Sequence, residues 1–311
     1  MTNIPSTEDR IWAVLSHLSA IAFGMGILLP IIGWSEQRRK SNFASFQCLQ
    51  ALGYQSLGYT VWILLTLVVI LMLIFIMIPA ISIADANRGD VDSVIGRWMI
   101  VIFIAMFGLI GLYVLLPVIA AISSALGRDY RYPILGNRLA RYLNYASTND
   151  EWINEDHEDR WVAGMGHFSV IIALWGMLVS LTAWVLQGKR SLLLKFQAMQ
   201  TLVYQAFVTL LPFVAIIFYM FGFFVFIVMT GFGENSSLSS SMGIASLVIL
   251  LVSMLIALGI AFVVPLFHIL GQYAGYRVLK GDDFRYPVIG RLVEKRLAQS
   301  RSSRSTPIEP E

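Results

Sequence analysis

The chain has 311 residues, of which 57% are apolar and 13% charged, and its mean hydropathy is +0.72. Soluble domains carry about 25% charged residues, so a soluble globular enzyme, a disordered chain and a coiled coil are excluded. The net charge of +3 arises from basic residues flanking apolar segments, which points to membrane orientation and anionic headgroups and not to nucleic acid.

Residues 1–10 mix acid and base at Glu8, Asp9 and Arg10, unlike the basic start of a removed signal peptide. Insertion is expected from the first apolar segment itself. Six segments free of Asp, Glu, Lys and Arg follow, at 11–35, 46–84, 98–127, 161–186, 196–233 and 235–276. Each exceeds the roughly 20 residues a helix needs to cross a bilayer. Backbone in lipid must satisfy its own hydrogen bonds, so these segments are predicted helices, and no ten-residue alternation suggests a barrel. Three segments are long enough to overshoot the bilayer, with Pro79, Pro117, Pro212 and Pro265 as expected bend points. The single cysteine, Cys48, permits no internal disulfide.

Shifted by 150, residues 8–57 fall on 158–207 without a gap. Glu8-Asp9-Arg10 meets Glu158-Asp159-Arg160, His17 meets His167, Trp34 meets Trp184 and Gln37 meets Gln187. Phe46, Gln47, Gln50, Leu52, Tyr54 and Gln55 meet Phe196, Gln197, Gln200, Leu202, Tyr204 and Gln205. At an offset of 154, Arg131-Tyr132-Pro133 meets Arg285-Tyr286-Pro287. The fold expected is all-α: a polytopic helical membrane protein of two tandem repeats of three apolar segments each, residues 1–145 and 146–311, joined by a polar linker near 144–158. Such a duplication arises by fusion of a dimer's gene, and it also occurs in transporters.

Basic residues choose between two topologies. If every segment crosses once, the second repeat is inverted and the basic loops after segments one and four face opposite sides. If the first segment of each repeat dips in and returns, the repeats face the same way. All but Arg88 and Arg97 of the 22 Lys and Arg then share one side with the termini, taken as cytoplasmic in a bacterial plasma membrane. Loops 85–97 and 233–241, with Asp85, Asp90, Asp92 and Glu234, face the other side. Gly24, Gly26, Pro30 and Gly33 favour a broken first segment, whereas segment four has no proline and the length of an ordinary span.

Each repeat thus carries a histidine in its first segment, a basic loop, a helix opening Phe-Gln-x-x-Gln-x-Leu-x-Tyr-Gln, and an exit reading Gly-x-x-Tyr/Phe-Arg-Tyr-Pro at 127–133 and 281–287. These motifs resemble a bacterial family of small membrane proteins that is distantly similar to the Tic-twenty subunit of the chloroplast import translocon. The resemblance implies a helical membrane protein without established catalysis, and the doubling departs from the single copy usual there.

Three sets of residues are candidate sites. Gln47, Gln50 and Tyr54, with Gln197, Gln200 and Tyr204, form one stripe per repeat; amides in hydrocarbon need partners, so the stripes either line a polar path or sit at headgroup depth. Gln55 and Gln205 lie deeper and suit interhelical hydrogen bonds. His17 and His167 are equivalent; a two-ligand metal site is poor, and hydrogen bonding within the protein is the simpler expectation. His268 reads as packing and His157 as a solvated linker residue. Arg131, Tyr132 and Pro133, with Arg285, Tyr286 and Pro287, either anchor the membrane interface or dock a partner. Amphipathic helices are expected at 135–143 and 289–297, set against anionic lipid. Gly271 and Gly275 match a GxxxG packing motif.

No motif calls for a cofactor or metal, and no catalytic constellation is evident. The expected function is a non-enzymatic membrane scaffold, assembly or translocon-like component, working with the anionic bilayer and a membrane-protein partner or a homo-oligomer. The alternative is a channel or transporter for a neutral solute, lined by glutamines of both repeats.

Overall fold

The computed structural model describes residues 5–86, 90–146, 152–233 and 239–302. They form α1 (Thr7–Leu18), a 3-10 stretch (Ser19–Ile27), α2 (Leu28–Gln37), α3 (Asn42–Ala86), α4 (Val91–Ala125) and α5 (Leu135–Leu143). The second repeat follows with α6 (Glu155–Phe168), a 3-10 stretch (Ser169–Trp175), α7 (Gly176–Gln187), α8 (Leu192–Gly233), α9 (Ser239–Leu279) and α10 (Ile289–Ser302). The fold is all-α, with no strand among the described residues. Six helical stretches are long and apolar enough to cross a membrane.

The first segment of each repeat reverses on itself. A straight helix over the 31 residues Thr7–Gln37 would hold its ends about 45 Å apart at 1.5 Å per residue. Instead Gln37 Nε2 donates to Glu8 Oε1 at 2.9 Å, closing the two ends together. The turn sits at Phe23, with φ 49° and ψ −134°, and at the equivalent Ala173, with φ 50° and ψ −130°. Proline is not the cause, since the second copy lacks it. Gly26 and Gly176 are what the turn requires: a Cβ on either would land on the carbonyl oxygen of Ser19 or Ser169. Ser169 Oγ also donates across the turn, to Gly176 O at 2.9 Å.

The remaining segments form two long hairpins, α3 with α4 and α8 with α9. At 45 residues α3 is about 68 Å long, roughly twice the hydrocarbon thickness. Pro79, Pro117, Pro212 and Pro265 lie inside helices that continue through them. The distal halves carry apolar side chains on every face, such as Phe75 and Ile104, which suits lipid. The core gathers at the other end, around Trp34, Phe46, Leu49, Leu52, Leu139, Met165 and Leu194. Gly271 and Gly275 bring α9 onto α6, beside Val170 and Phe168. Arg88, Glu234 and the expected start of the sixth segment at Asn235 lie outside the described residues.

The repeats face the same way. The foot of α2 meets the foot of α6, and Gln187 at the end of α7 donates to Ser35 Oγ at 2.6 Å. The linker is shorter than expected, because α6 begins at Glu155, capped by Asn154. His157 is accordingly not a solvated linker residue. It lies in the first turn of α6, half-buried, with Nδ1 at 2.5 Å from Tyr142 O and its ring stacked on Tyr142.

Candidate functional site

In each repeat the reversed hairpin, the start of the long helix and the exit loop converge on one buried polar cluster. The exit loop is set by Gly127 at φ +72° and Gly281 at φ +99°, a backbone region that costs glycine nothing. From there the chain folds back over α3 or α8, and the glutamines at i and i+3 present one face to it.

His17 Nδ1 lies 3.0 Å from Tyr132 Oη, and its Nε2 lies 2.9 Å from Gln47 Oε1. Gln47 Nε2 donates to Asp129 Oδ1 and Tyr130 O, both at 3.1 Å. Two acceptors therefore fix the amide, and its oxygen faces the ring. It follows that Nε2 carries the imidazole proton and that the Tyr132 hydroxyl donates to Nδ1. Gln50 Nε2 donates to Gln47 Oε1 at 3.2 Å and to Tyr130 O at 3.0 Å, while its own oxygen accepts from Tyr132 N at 2.9 Å. Tyr54 stacks on Tyr132 with centroids 4.4 Å apart and donates to Tyr113 O at 2.7 Å.

The second repeat repeats the cluster bond for bond. His167 lies 2.9 Å from Tyr286 Oη and 3.0 Å from Gln197 Oε1. Gln197 donates to Asp283 Oδ1 and Phe284 O, Gln200 donates to Phe284 O, and Tyr286 N donates to Gln200 Oε1. Tyr204 stacks on Tyr286 at 3.8 Å and donates to Phe267 O at 2.6 Å. Thr201, in place of Ala51, adds a hydroxyl beside the His167 ring.

The structure thus joins three motifs that lie far apart in sequence: histidine, glutamine stripe and Arg-Tyr-Pro exit. It does not join the two histidines, each of which is enclosed in its own repeat. His17, His167, Gln47, Gln50, Gln197 and Gln200 are fully buried. Gln55 Nε2 donates to Ser16 O and Ser19 Oγ, and Gln205 Nε2 to Gly166 O and Ser169 Oγ, tying α3 and α8 to the hairpin turns. Arg131 pairs with Asp129 at 3.0 Å, and Arg285 with Asp283 and Glu294. Burial raises the Asp129 carboxyl above its ordinary range, against the pull of Arg131. Pro133 and Pro287 each lead, within two residues, into the amphipathic α5 and α10. His268 Nδ1 contacts Val264 O in its own helix at 2.9 Å.

One polar cluster escapes sequence reading. Arg38, 8% exposed, reaches across the repeats to Glu158 Oε2 at 3.0 Å and Asp159 Oδ1 at 2.8 Å. Glu158 also accepts from Ser45 Oγ at 2.8 Å and Trp34 Nε1 at 3.2 Å, and Arg39 pairs with Glu155 at the rim. The available signal was an asymmetry: Arg38 and Ser45 are Gly188 and Lys195 in the second repeat.

A duplicated hairpin module with a buried histidine–glutamine–tyrosine cluster defines a multi-pass helical membrane protein built from two like-facing copies. A family model matches each copy, over residues 8–139 and 158–293: the MamF/MmsF magnetosome magnetite crystal formation protein family, to which this chain belongs. No curated protein and no solved structure matches the chain. The match identifies a bacterial membrane-protein family, as expected, but it does not carry the expected likeness to the Tic-twenty subunit.

Proposed function

We propose that the chain is a non-catalytic scaffold of the magnetosome membrane that supports magnetite crystal formation. The observation that carries this reading is the double family match, one copy over each structural repeat. The geometry supports it from another direction. In both clusters the imidazole and the stripe amides spend their hydrogen-bonding capacity on fixed protein partners, which suits a structural lock better than a reactive centre. Among the described residues no three His, Cys, Asp or Glu side chains gather as metal ligands.

In this reading both termini and both basic loops lie on the cytoplasmic side, against anionic lipid, and the long hairpins point to the other side. The Arg131 and Arg285 exits with α5 and α10 are the surfaces a membrane partner meets. In a Cys48→Ser background, Ser6→Cys, Ser41→Cys and Ser191→Cys are expected to label from one side and Ser93→Cys from the other. Labelling of Ser41→Cys and Ser191→Cys from opposite sides ends the like-facing arrangement.

The scaffold and the neutral-solute channel separate in one double variant. Gln50→Leu with Gln200→Leu, in cells that form magnetite, is expected to change crystal size and deplete co-purifying magnetosome proteins. Proteoliposomes holding the wild-type chain are expected to show no more solute flux than empty vesicles. Flux that disappears in the variant, with partners retained, makes the chain a channel instead.

A further inference from the structure

The contact between the repeats is one-sided. Helix α6 of the second repeat packs on α3 of the first, and the α6 face is Glu158, Trp161 and Met165 by its i, i+3, i+7 spacing. The receiving stripe is Ser45, Leu49 and Gly53: Ser45 bonds Glu158, Leu49 O accepts from Trp161 Nε1 at 2.9 Å, and a Cβ on Gly53 would lie 2.5 Å from the Trp161 ring. A dimer-like, two-fold contact would repeat this between α1 and α8. Among the described residues no comparable packing joins those two helices. The contact is therefore heterologous, and a heterologous contact leaves each of its two surfaces unused once per chain.

Both unused surfaces are identifiable by the internal alignment. On α1 they are Glu8, Ile11 and Leu15; Ile11 is 52% exposed and Leu15 42%, where Trp161 is 6% and Met165 0%. On α8 they are Lys195, Met199 and Val203; Val203 is 48% exposed, whereas its counterpart Gly53 is buried. The substitutions between used and unused surfaces compensate one another. Trp161 on Gly53 becomes Ile11 against Val203, a large-plus-small pair exchanged for two of middle size. The cation facing the carboxylate is Arg38 in the used contact. In the unused one position 38 becomes Gly188, and a cation appears at Ser45's position as Lys195, opposite Glu8.

We infer that a second copy of this chain docks its α1 face, Glu8, Ile11 and Leu15, onto the Lys195, Met199 and Val203 stripe of α8, extending the internal repeat contact from chain to chain. Like-facing copies in one flat bilayer differ only by rotation about the membrane normal, so the contact repeats around such an axis. Within the chain α2 packs on its own counterpart α7, and the two 3-10 turns pack on each other. An element touches its own copy when it lies near a rotation axis, so the hairpin turns surround the centre and the α3–α4 and α8–α9 hairpins lie outside.

The test uses full-length chains in nanodiscs containing anionic lipid, in a Cys48→Ser background. One preparation carries Ile11→Cys and another Val203→Cys, each with its own tag, mixed before reconstitution. A short thiol-reactive bismaleimide is expected to link the mixed pair, with at least tenfold less product from either variant alone. Glu8→Lys in the first chain is expected to cut the mixed product about tenfold, and Lys195→Glu in the second to restore it. Native mass measurement is expected to give whole multiples of two or more chains. Monomers only, or self-pairs of Ile11→Cys as abundant as mixed pairs, overturn the proposal; monodisperse elution of each variant shows that either result comes from folded protein.

Discussion

His17 shows how one buried polar side chain is made tolerable. Its two nitrogens meet one donor and one acceptor, and the acceptor is oriented by two further groups. Removing the ring leaves the Tyr132 hydroxyl and Gln47 Oε1 short of a partner in a dry site, at about 1–3 kcal/mol for each group. His17→Ala is therefore expected to lower detergent stability by about 3 kcal/mol, read as a fall in melting temperature. His167→Ala gives the internal replicate, and no change in either dissolves the structural role of the cluster. Asp129 makes a second claim at this scale. Its carboxyl holds a proton to higher pH in the folded protein than in the unfolded chain, because burial outweighs Arg131. Its favourable contribution is complete below the unfolded value of about 3.8 and fades as pH rises through the raised one. Across a melting series from pH 4 to 7, the wild type is expected to lose stability relative to Asp129→Asn; a slope of the opposite sign refutes this.

At the scale of elements, the reversed hairpin decides the architecture. Two short helices and a turn occupy a stretch whose composition alone would pass for a span. The turn depends on a glycine at one position, because the carbonyl of Ser19 or Ser169 occupies the place of a side chain. Gly26→Ala is expected to abolish monodisperse folded protein or cost several kcal/mol, far beyond the roughly 1 kcal/mol that alanine gains in a helix. Gly108→Ala, with nothing within 4 Å of its Cβ, is expected to be neutral or slightly stabilising. Equal behaviour of the two variants in thermal melts contradicts the reversal. The expectation from sequence was divided here. Glycines and Pro30 hinted at a break in the first copy, while the second copy has no proline and read as a span. The structure makes both alike, since the required glycine is the one both copies share.

For the molecule as a whole, the two copies are held by a buried ion cluster that neither copy has alone. Arg38 belongs to the first repeat and Glu158 and Asp159 to the second. Breaking a buried pair strands the remaining charge and typically costs 3–5 kcal/mol. Arg38→Ala is expected to destabilise by about that much, and adding Glu158→Gln to recover at least half of the loss in the same melt. Absence of recovery assigns the effect to lost packing of Arg38 on Trp34, over which the guanidinium sits at 5.0 Å.

The membrane class, the helix content and the duplication follow from the sequence, because apolar length and self-similarity are local or linear properties. Glutamine, histidine and Arg-Tyr-Pro motifs were also visible, though as separate candidates. Only the tertiary structure made them one cluster, since residues some 80 and 115 positions apart meet there through a backbone path that no periodicity encodes. Only it set Arg38 against Glu158 and made the repeat contact one-sided. Pairing across a fold depends on where long helices cross, and a helix that is apolar on every face leaves that choice to packing.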